Sequence, residues 1–179
     1  MKEQKTLSLF QVDAFTDRPF HGNPAAVIPL HGPLTDTLMQ SIAAENNLSE
    51  TVFVSSRPAP GHYDLRWFTP TVEVELCGHA TLATAHVLFN ELGVEQPVLH
   101  FHTRSGELPV SKRDGGWLVM RLPRQTATVC DAPANVAAAL NIQPEKWLSG
   151  ANYMAVYDSE QQIQQLQPDM RRLSDVRDR

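Results

Sequence analysis

The sequence is poor in cysteine. Two of its 179 residues, Cys77 and Cys130, carry thiols, and they lie far apart in the chain. Two distant thiols are too few for a disulfide framework or for a cysteine-based zinc site. Scarce cysteine fits a reducing compartment, so we expect a cytoplasmic protein.

Long apolar runs and concentrated basic charge are also missing. No run approaches the roughly 18 residues that span a bilayer, and the N-terminal residues 1–5 lead into no signal-peptide segment. The net charge is −5, and the basic residues are scattered, which gives no footprint for nucleic-acid phosphates. We therefore expect no membrane partner and no nucleic-acid partner. The composition favours small-molecule or protein partners.

The sequence does contain short periodic segments between proline- and glycine-rich breaks. Thr35 is predicted to cap an amphipathic helix that runs to about Asn46. A second helix, small or apolar nearly all round and therefore buried, is predicted from Ala80 to Leu92, with Gly93 ending it. Apolar patterns predict strands at 7–12, 25–28, 51–55, 63–68, 72–76, 99–101, 108–110 and 117–121. The fold class is therefore α+β, with a mostly antiparallel sheet and two helices.

The pattern changes after Leu122. A polar connector is followed by a pattern that predicts two helices and about one strand, which is too little to enclose a core of its own. We predict an N-terminal domain at 1–122. Residues 123–179 are predicted to be a connector and the truncated start of a second domain.

The most informative segment is the predicted strand-to-helix junction at Cys77, Gly78 and His79. A helix beginning near Gly78 directs unpaired N–H groups and the positive end of its dipole towards the strand end, where a carboxylate or phosphate would bind. The same field would lower the pKa of Cys77, and His79 could give or take a proton. A structural interpretation also fits, in which Gly78 eases the turn, Cys77 packs as a small apolar residue and His79 caps the helix. The residues alone leave both interpretations open.

Glu50 is a second candidate. It lies between the first helix and an apolar strand, where a carboxylate is partly desolvated. Desolvation raises a carboxyl pKa towards the range of a general acid–base catalyst. The alternative is an exposed glutamate that ends a loop.

The histidines carry weaker signals. His100 and His102 are two residues apart on a predicted strand and share a face, which suits metal binding. No third ligand is evident, so we assign them to the solvent face. His86, inside the apolar helix, is predicted to be a hydrogen-bonded core histidine.

Three sequence blocks carry a resemblance to a known family. They are 12–16 together with 20–27, which contains Gly22-Asn23-Pro24; 47–53, which contains Leu48-Ser49-Glu50; and 68–83, which contains Cys77-Gly78-His79. In order and spacing they resemble the phenazine biosynthesis PhzF-like family over most of residues 1–122. The stretch 103–108 is also similar, and the surroundings of Pro168 match more loosely.

The resemblance implies a fold and a site. Family members resemble diaminopimelate epimerase, with two similar lobes that each curl a sheet around a central helix and an active site between them. It implies a cofactor-independent, metal-free isomerase of biosynthetic metabolism that moves a proton or double bond in a small carboxylate-bearing molecule. Glu50 would shuttle the proton and His79 would be an active-site residue. The backbone of Gly78 and His79 would bind the substrate carboxylate, and Asn23 would line the cleft.

The resemblance also makes Cys77 a catalytic candidate. Its position resembles that of one of the two thiols of the related amino-acid epimerases. Cys130 lies in the wrong region to be the second thiol, so a two-thiol racemase is not expected. A thiol enzyme that uses Cys77 alone would be alkylated rapidly near neutral pH.

A competing hypothesis comes from the second lobe. The family's second-lobe motifs have no match after Pro123, so we expect an incomplete second lobe. The alternative to the isomerase is then a catalytically incomplete half-enzyme, a remnant or a self-associating module. An uncovered cleft wall favours association, so we expect a homodimer.

Overall fold

The structure, a computed structural model, describes residues 6–174. It separates into two units, and the boundary falls between Leu122 and Pro123. The strands of the first unit are β1 (Phe10–Ala14), β2 (Asn23–Leu30), β3 (Glu50–Ser56), β4 (His62–Phe68), β5 (Glu73–Val74), β6 (Val98–Thr103), β7 (Gly106–Lys112) and β8 (Leu118–Met120). Its helices are α1 (Asp36–Asn46) and α2 (Gly78–His86), and α2 continues as π-helix over Val87–Glu91.

The strands of the first unit form one mixed sheet in the order β1-β2-β3-β4-β6-β7-β8, with β5 paired to β4. β2 pairs in parallel with β3, and β4 pairs in parallel with β6. The other pairs are antiparallel. The predicted α+β class and mostly antiparallel sheet are therefore confirmed.

Helix α2 lies against one face of this sheet. Its Ala80, Ala83 and Ala85 are buried, together with the inward-facing strand residues Val52, Val54, Leu65, Trp67, Leu99, Phe101, Leu108 and Val110. A helix without a polar face is stable only when it is surrounded, and its small side chains let the strands approach closely. The helix ends as predicted, at Gly93 with φ +67°. The predicted central helix is confirmed.

Helix α1 covers part of the opposite face. The Thr35 hydroxyl accepts a hydrogen bond from the Leu38 N–H, as predicted for its N-cap. Met39 and Ala43 of α1 are buried with Ile28, Phe53 and Phe68 of the strands. The sheet is thus covered on both faces at β2, β3 and β4.

Two local predictions are wrong. The first strand begins at Phe10 rather than Leu7, and Phe10 and Val12 pack against the core. The alternation of Leu7 and Leu9 therefore predicted the wrong set of residues to face the α2 core. Leu7 instead packs on the α1 side of the sheet. His86 is exposed and bonded to Asn90, because the small residues of α2 form the contact with the sheet.

The second unit contains more strand than we predicted. It has β9 (Thr128–Cys130), β10 (Lys146–Ser149) and β11 (Tyr153–Val156), in the antiparallel order β11-β10-β9, with the short helices α3 (Ala134–Ala137), α4 (Glu160–Gln164) and α5 (Met170–Ser174). We did not predict β9, because it lies within the polar segment 123–133 that was assigned to a connector. Among the described residues of this unit, the buried side chains are Ala139 and Trp147. Across residues 6–174, no helix has the length and apolarity to cross a membrane.

Candidate active site

The fold brings Glu50 and His79 together. Glu50 begins β3, where it lies opposite Ala25 of the parallel strand β2. His79 lies in the first turn of α2. Glu50 Oε2 and His79 Nε2 are 3.2 Å apart, and the two side chains are 17% and 9% exposed. Two residues that the sequence singled out separately thus form one buried pair.

Both members of this pair keep unused hydrogen-bonding capacity. Among residues 6–174, three buried side-chain nitrogen or oxygen atoms have no hydrogen-bond partner, and two of them are Glu50 Oε2 and His79 Nε2. The two atoms are in contact but are not aligned as donor and acceptor. A buried polar atom without a partner costs free energy. Such a pair is typical of a site that completes its bonding with a ligand.

Cys77 is the third member of the cluster, and its ionisation differs from the prediction. Its Sγ lies 3.3 Å from His79 Nδ1. Burial raises the pKa of this thiol to about 12, opposed by the backbone N–H groups of Ala80 and His79 and reinforced by the Glu50 carboxylate. The expectation that the helix field lowers the pKa of Cys77 is wrong, because desolvation outweighs the field.

The first turn of α2 begins with a glycine and has no side-chain cap. Gly78 begins the helix, and the Cys77 side chain at the N-cap makes no capping hydrogen bond. A Cβ added at Gly78 would meet Met120 Cε at 3.5 Å, which is an ordinary contact. Packing within the fold therefore does not require glycine here. A glycine at a helix N-terminus lets an anion approach the backbone N–H groups closely, which is compatible with the predicted binding of a carboxylate here.

Asn23 is fixed beside the loop that precedes Glu50. It begins β2, and its Oδ1 accepts a hydrogen bond from Ser49 Oγ at 3.3 Å. A Cβ on the preceding Gly22 would collide with the Ala14 carbonyl oxygen, so the chain can pass there only as glycine. The contact is to Ser49 rather than to Glu50 or His79, and a substrate-binding role for Asn23 stays a prediction.

A network that sequence reasoning missed supports the strand leading into α2. The Glu73 carboxylate, 13% exposed, binds Arg66 at 2.7 Å and Arg104 at 2.7 Å. Ser105 Oγ donates to the Glu75 carbonyl at 2.9 Å. The turn that carries Arg104 and Ser105 is thus tied to the segment before Cys77. The sequence held one indication of this network. Arg66 is a charged residue at an outward position of a strand whose apolar residues alternate, and such a residue can pair with a nearby carboxylate.

Two groups of side chains in the described residues could hold a metal ion. One is Glu50, Cys77 and His79, and the other is His62, His100 and Glu107; within each group the ligand atoms lie within 4.8 Å of one another. Sequence reasoning found His100 but missed His62 and Glu107, which the sheet brings beside it. The expectation of a metal-free active site stays a prediction.

Comparison with known proteins relates the chain to one protein family. The PhzC-PhzF family, described as phenazine biosynthesis-like protein, matches residues 12–179. An uncharacterized isomerase of Pseudomonas aeruginosa is 53% identical over 167 residues, which are 93% of this chain and 63% of that protein. A crystal structure of a phenazine biosynthesis PhzF-family protein from Enterococcus faecalis matches with a TM-score of 0.81 at 39% identity, covering 96% of this chain and 65% of that one.

A more distant structure shows the fold alone. A structure described as a predicted epimerase from Pseudomonas aeruginosa matches with a TM-score of 0.71 at 22% identity, covering 91% of this chain and 63% of that one. The chain spans slightly less than two thirds of the length of each of these three proteins. It matches the family over most of its own length, and it belongs to the PhzC-PhzF family of phenazine biosynthesis-like proteins.

Proposed function

We propose that the chain carries the proton-transfer half of an isomerase that acts on a small metabolite bearing a carboxylate. The observation that carries the proposal is the buried contact between Glu50 and His79, in which Glu50 Oε2 and His79 Nε2 have no hydrogen bond. The isomerase names of family relatives support the same class of reaction.

Glu50 moves the proton in this mechanism. Its carboxylate removes a proton from a carbon next to the substrate's double bond, and the C–H electron pair forms a new double bond. The old double bond takes the proton back from the Glu50 carboxyl group at its far carbon. Atoms and electrons balance without an oxidant or reductant, and a positioned acid–base group of this kind contributes about 10²- to 10⁴-fold in rate.

His79 and the start of α2 orient the substrate. The His79 imidazole, in contact with Glu50, forms a hydrogen bond to the reacting part of the substrate. The backbone N–H groups at Gly78 and His79 bind the substrate carboxylate, because the positive end of a helix dipole favours an anion. Asn23, held by Ser49, lines the same side of the site.

Cys77 takes no proton from the substrate in this mechanism. A thiol whose pKa is raised to about 12 is almost entirely neutral near pH 7. Its sulfur contacts His79 Nδ1 and so fixes the imidazole rather than reacting. Cofactor independence, cytoplasmic location and a homodimer are further parts of the proposal, argued from the sequence and the resemblance.

Deuterium exchange tests the proposed proton transfer. The chain is incubated in D₂O with a panel of small unsaturated carboxylic acids, and proton NMR follows loss of signal at carbon and appearance of the isomer. Wild type should exchange at least one acid, and Glu50→Gln should reduce the rate by about 10²-fold or more. Glu45→Gln, an exposed glutamate of α1, is the matched control and should exchange at the wild-type rate.

Equal exchange by Glu50→Gln and wild type would contradict the role of Glu50. The catalytically incomplete half-enzyme is the other candidate. It predicts no exchange with any acid and concentration-dependent association in light scattering, whereas exchange by the chain alone would exclude it.

A further inference from the structure

The outer face of the first-unit sheet carries a cluster of imidazoles that the proton-transfer chemistry does not use. Tyr63, Leu65, Leu99 and Phe101 point towards α2, so the alternating residues of β4 and β6 point to the other face. His62 opposes His100, and His102 opposes both Asp64 on β4 and Glu107 on β7. Helix α1 covers β2 to β4 but not this part of the face.

The cluster is tightly packed. The rings of His62 and His100 are stacked with centroids 4.5 Å apart. His62 Nδ1 lies 2.9 Å from His102 Nε2, and His100 Nδ1 lies 2.8 Å from Glu107 Oε1. His62, His100 and Glu107 each offer a ligand atom within 4.8 Å of the others. Two ligand atoms of one tetrahedral zinc ion lie about 3.3 Å apart, given bond lengths of about 2.0 Å. Small side-chain rotations therefore suffice to bring all three onto one ion.

The hydrogen bonds of the cluster also suit a metal site. Glu107 Oε1 already lies within hydrogen-bonding distance of His100 Nδ1. The hydrogen bond between His62 and His102 requires one imidazole to donate and the other to accept, so the acceptor nitrogen is unprotonated. A hydrogen bond to the second nitrogen of a ligating histidine is the usual way to fix its ring.

We propose that His62, His100 and Glu107 form a binding site for a divalent transition-metal ion of the zinc class, with His102 orienting His62. Two imidazoles and one carboxylate are a ligand set that zinc accepts with a fourth position left for water. Imidazole nitrogens favour zinc, copper and nickel over calcium or magnesium. The site is separate in the sequence and in the sheet from Glu50 and His79.

The bound ion would reinforce a short strand pairing in the middle of the sheet. The parallel contact between β4 and β6 spans three residue pairs, His62–His100, Tyr63–Phe101 and Asp64–His102, whereas β3 and β4 pair over six. This pairing connects β1–β4 to β6–β8. An ion held by β4, β6 and β7 crosslinks the three strands at this point, so binding should stabilise the first unit.

Calorimetric titration of the metal-depleted, tag-free chain with Zn²⁺ tests the proposal. Wild type should bind one ion saturably at this site, and the melting temperature should rise with Zn²⁺. His62→Gln and His100→Gln should each weaken binding by about tenfold or more and lose the melting shift. Glu107→Gln, an exposed position, tests the third ligand with little risk to folding.

Two control variants separate this site from others. His86→Gln removes an exposed histidine outside the cluster, and Cys77→Ser disrupts the second metal-capable group, Glu50–Cys77–His79. Both should retain the titration and the melting shift. Melting curves in EDTA should show that every variant is folded. The absence of saturable binding, or binding that survives in His62→Gln, His100→Gln and Glu107→Gln, would overturn the proposal. Binding lost in Cys77→Ser would do the same.

Discussion

Glu50 Oε2 and His79 Nε2 lie 3.2 Å apart and are buried, yet neither atom has a hydrogen bond. The pair forms because the N-terminal end of β3 and the N-terminal turn of α2 meet at one edge of the core. Neither residue alone separates a catalytic role from a structural one. Their convergence supports the proposed catalytic role, because buried polar atoms without a hydrogen bond lower stability and are rare in folded proteins.

This relationship predicts that Glu50→Gln leaves the fold intact and does not weaken it. The substitution replaces a buried carboxylate by a neutral amide of the same shape, which removes the cost of burying charge. We expect the free energy of unfolding to stay the same or to rise by up to about 1 kcal/mol. Urea unfolding followed by circular dichroism measures it, with Glu45→Gln as the exposed control. A loss of more than about 2 kcal/mol would show that Glu50 is a structural residue.

The raised pKa of Cys77 predicts a specific loss of stability at alkaline pH. The ordinary pKa of a cysteine thiol is 9.0, and in the folded protein burial raises the pKa of Cys77 to about 12. The folded state therefore holds this proton more tightly than the unfolded state does. The contribution to stability is fully present below pH 9 and is lost as the pH rises towards 12. Each unit of pKa difference corresponds to about 1.4 kcal/mol.

The measurement compares wild type with Cys77→Ala between pH 8 and pH 11. Tyrosines and lysines titrate in both proteins, so only the difference between them reports on Cys77. Wild type should lose about 2 kcal/mol more than the variant over this range, because the range covers most of the interval between the pKa of 9.0 and the pKa of about 12. Parallel pH dependences would mean that Cys77 ionises as readily in the folded protein as in the unfolded one.

Much of the first unit could be predicted from the sequence, because its signals are local. The cap at Thr35, the apolar helix and its end at Gly93 follow from side-chain period and backbone preference. The phase of β1 could not be predicted, since Leu7 and Phe10 are both apolar and only the sheet decides which one faces α2. The strand β9 was missed because it is three residues long and lies within a polar connector, with Thr128 and Val129 exposed.

The candidate site also has features that could be predicted from the sequence and features that could not. Glu50 and His79 could be selected from local context and resemblance, and the structure brings them into contact. The ionisation of Cys77 could not be predicted, because helix position and burial shift its pKa in opposite directions and only packing sets their balance. His62 and Glu107 were missed because they join His100 through strand pairing, which residue spacing does not reveal.

Gly78 tests whether a ligand contacts the backbone of α2. A Cβ at this position meets only Met120 Cε at 3.5 Å, and alanine favours helix more than glycine does. Gly78→Ala should therefore retain or slightly increase stability. The added methyl group would obstruct a carboxylate at the helix N-terminus, so KM for the acid identified by deuterium exchange should rise by about tenfold, or about 1.4 kcal/mol. An unchanged KM would place the carboxylate elsewhere.

A substitution at Gly22 tests whether the close packing of this residue against Ala14 fixes the backbone before Asn23. A Cβ here would overlap the Ala14 carbonyl oxygen and lie 2.7 Å from Thr16 Cγ2. The backbone cannot give way without moving β1 or Asn23, so Gly22→Ala should destabilise the protein by about 1–3 kcal/mol. Gly32→Ala is the matched control, because a Cβ at Gly32 meets nothing within 4 Å, and it should change stability by less than about 0.5 kcal/mol. Thermal unfolding compares the two variants. If both were equally stable, the close approach of Gly22 to Ala14 would not be what fixes Asn23 next to the Glu50 loop.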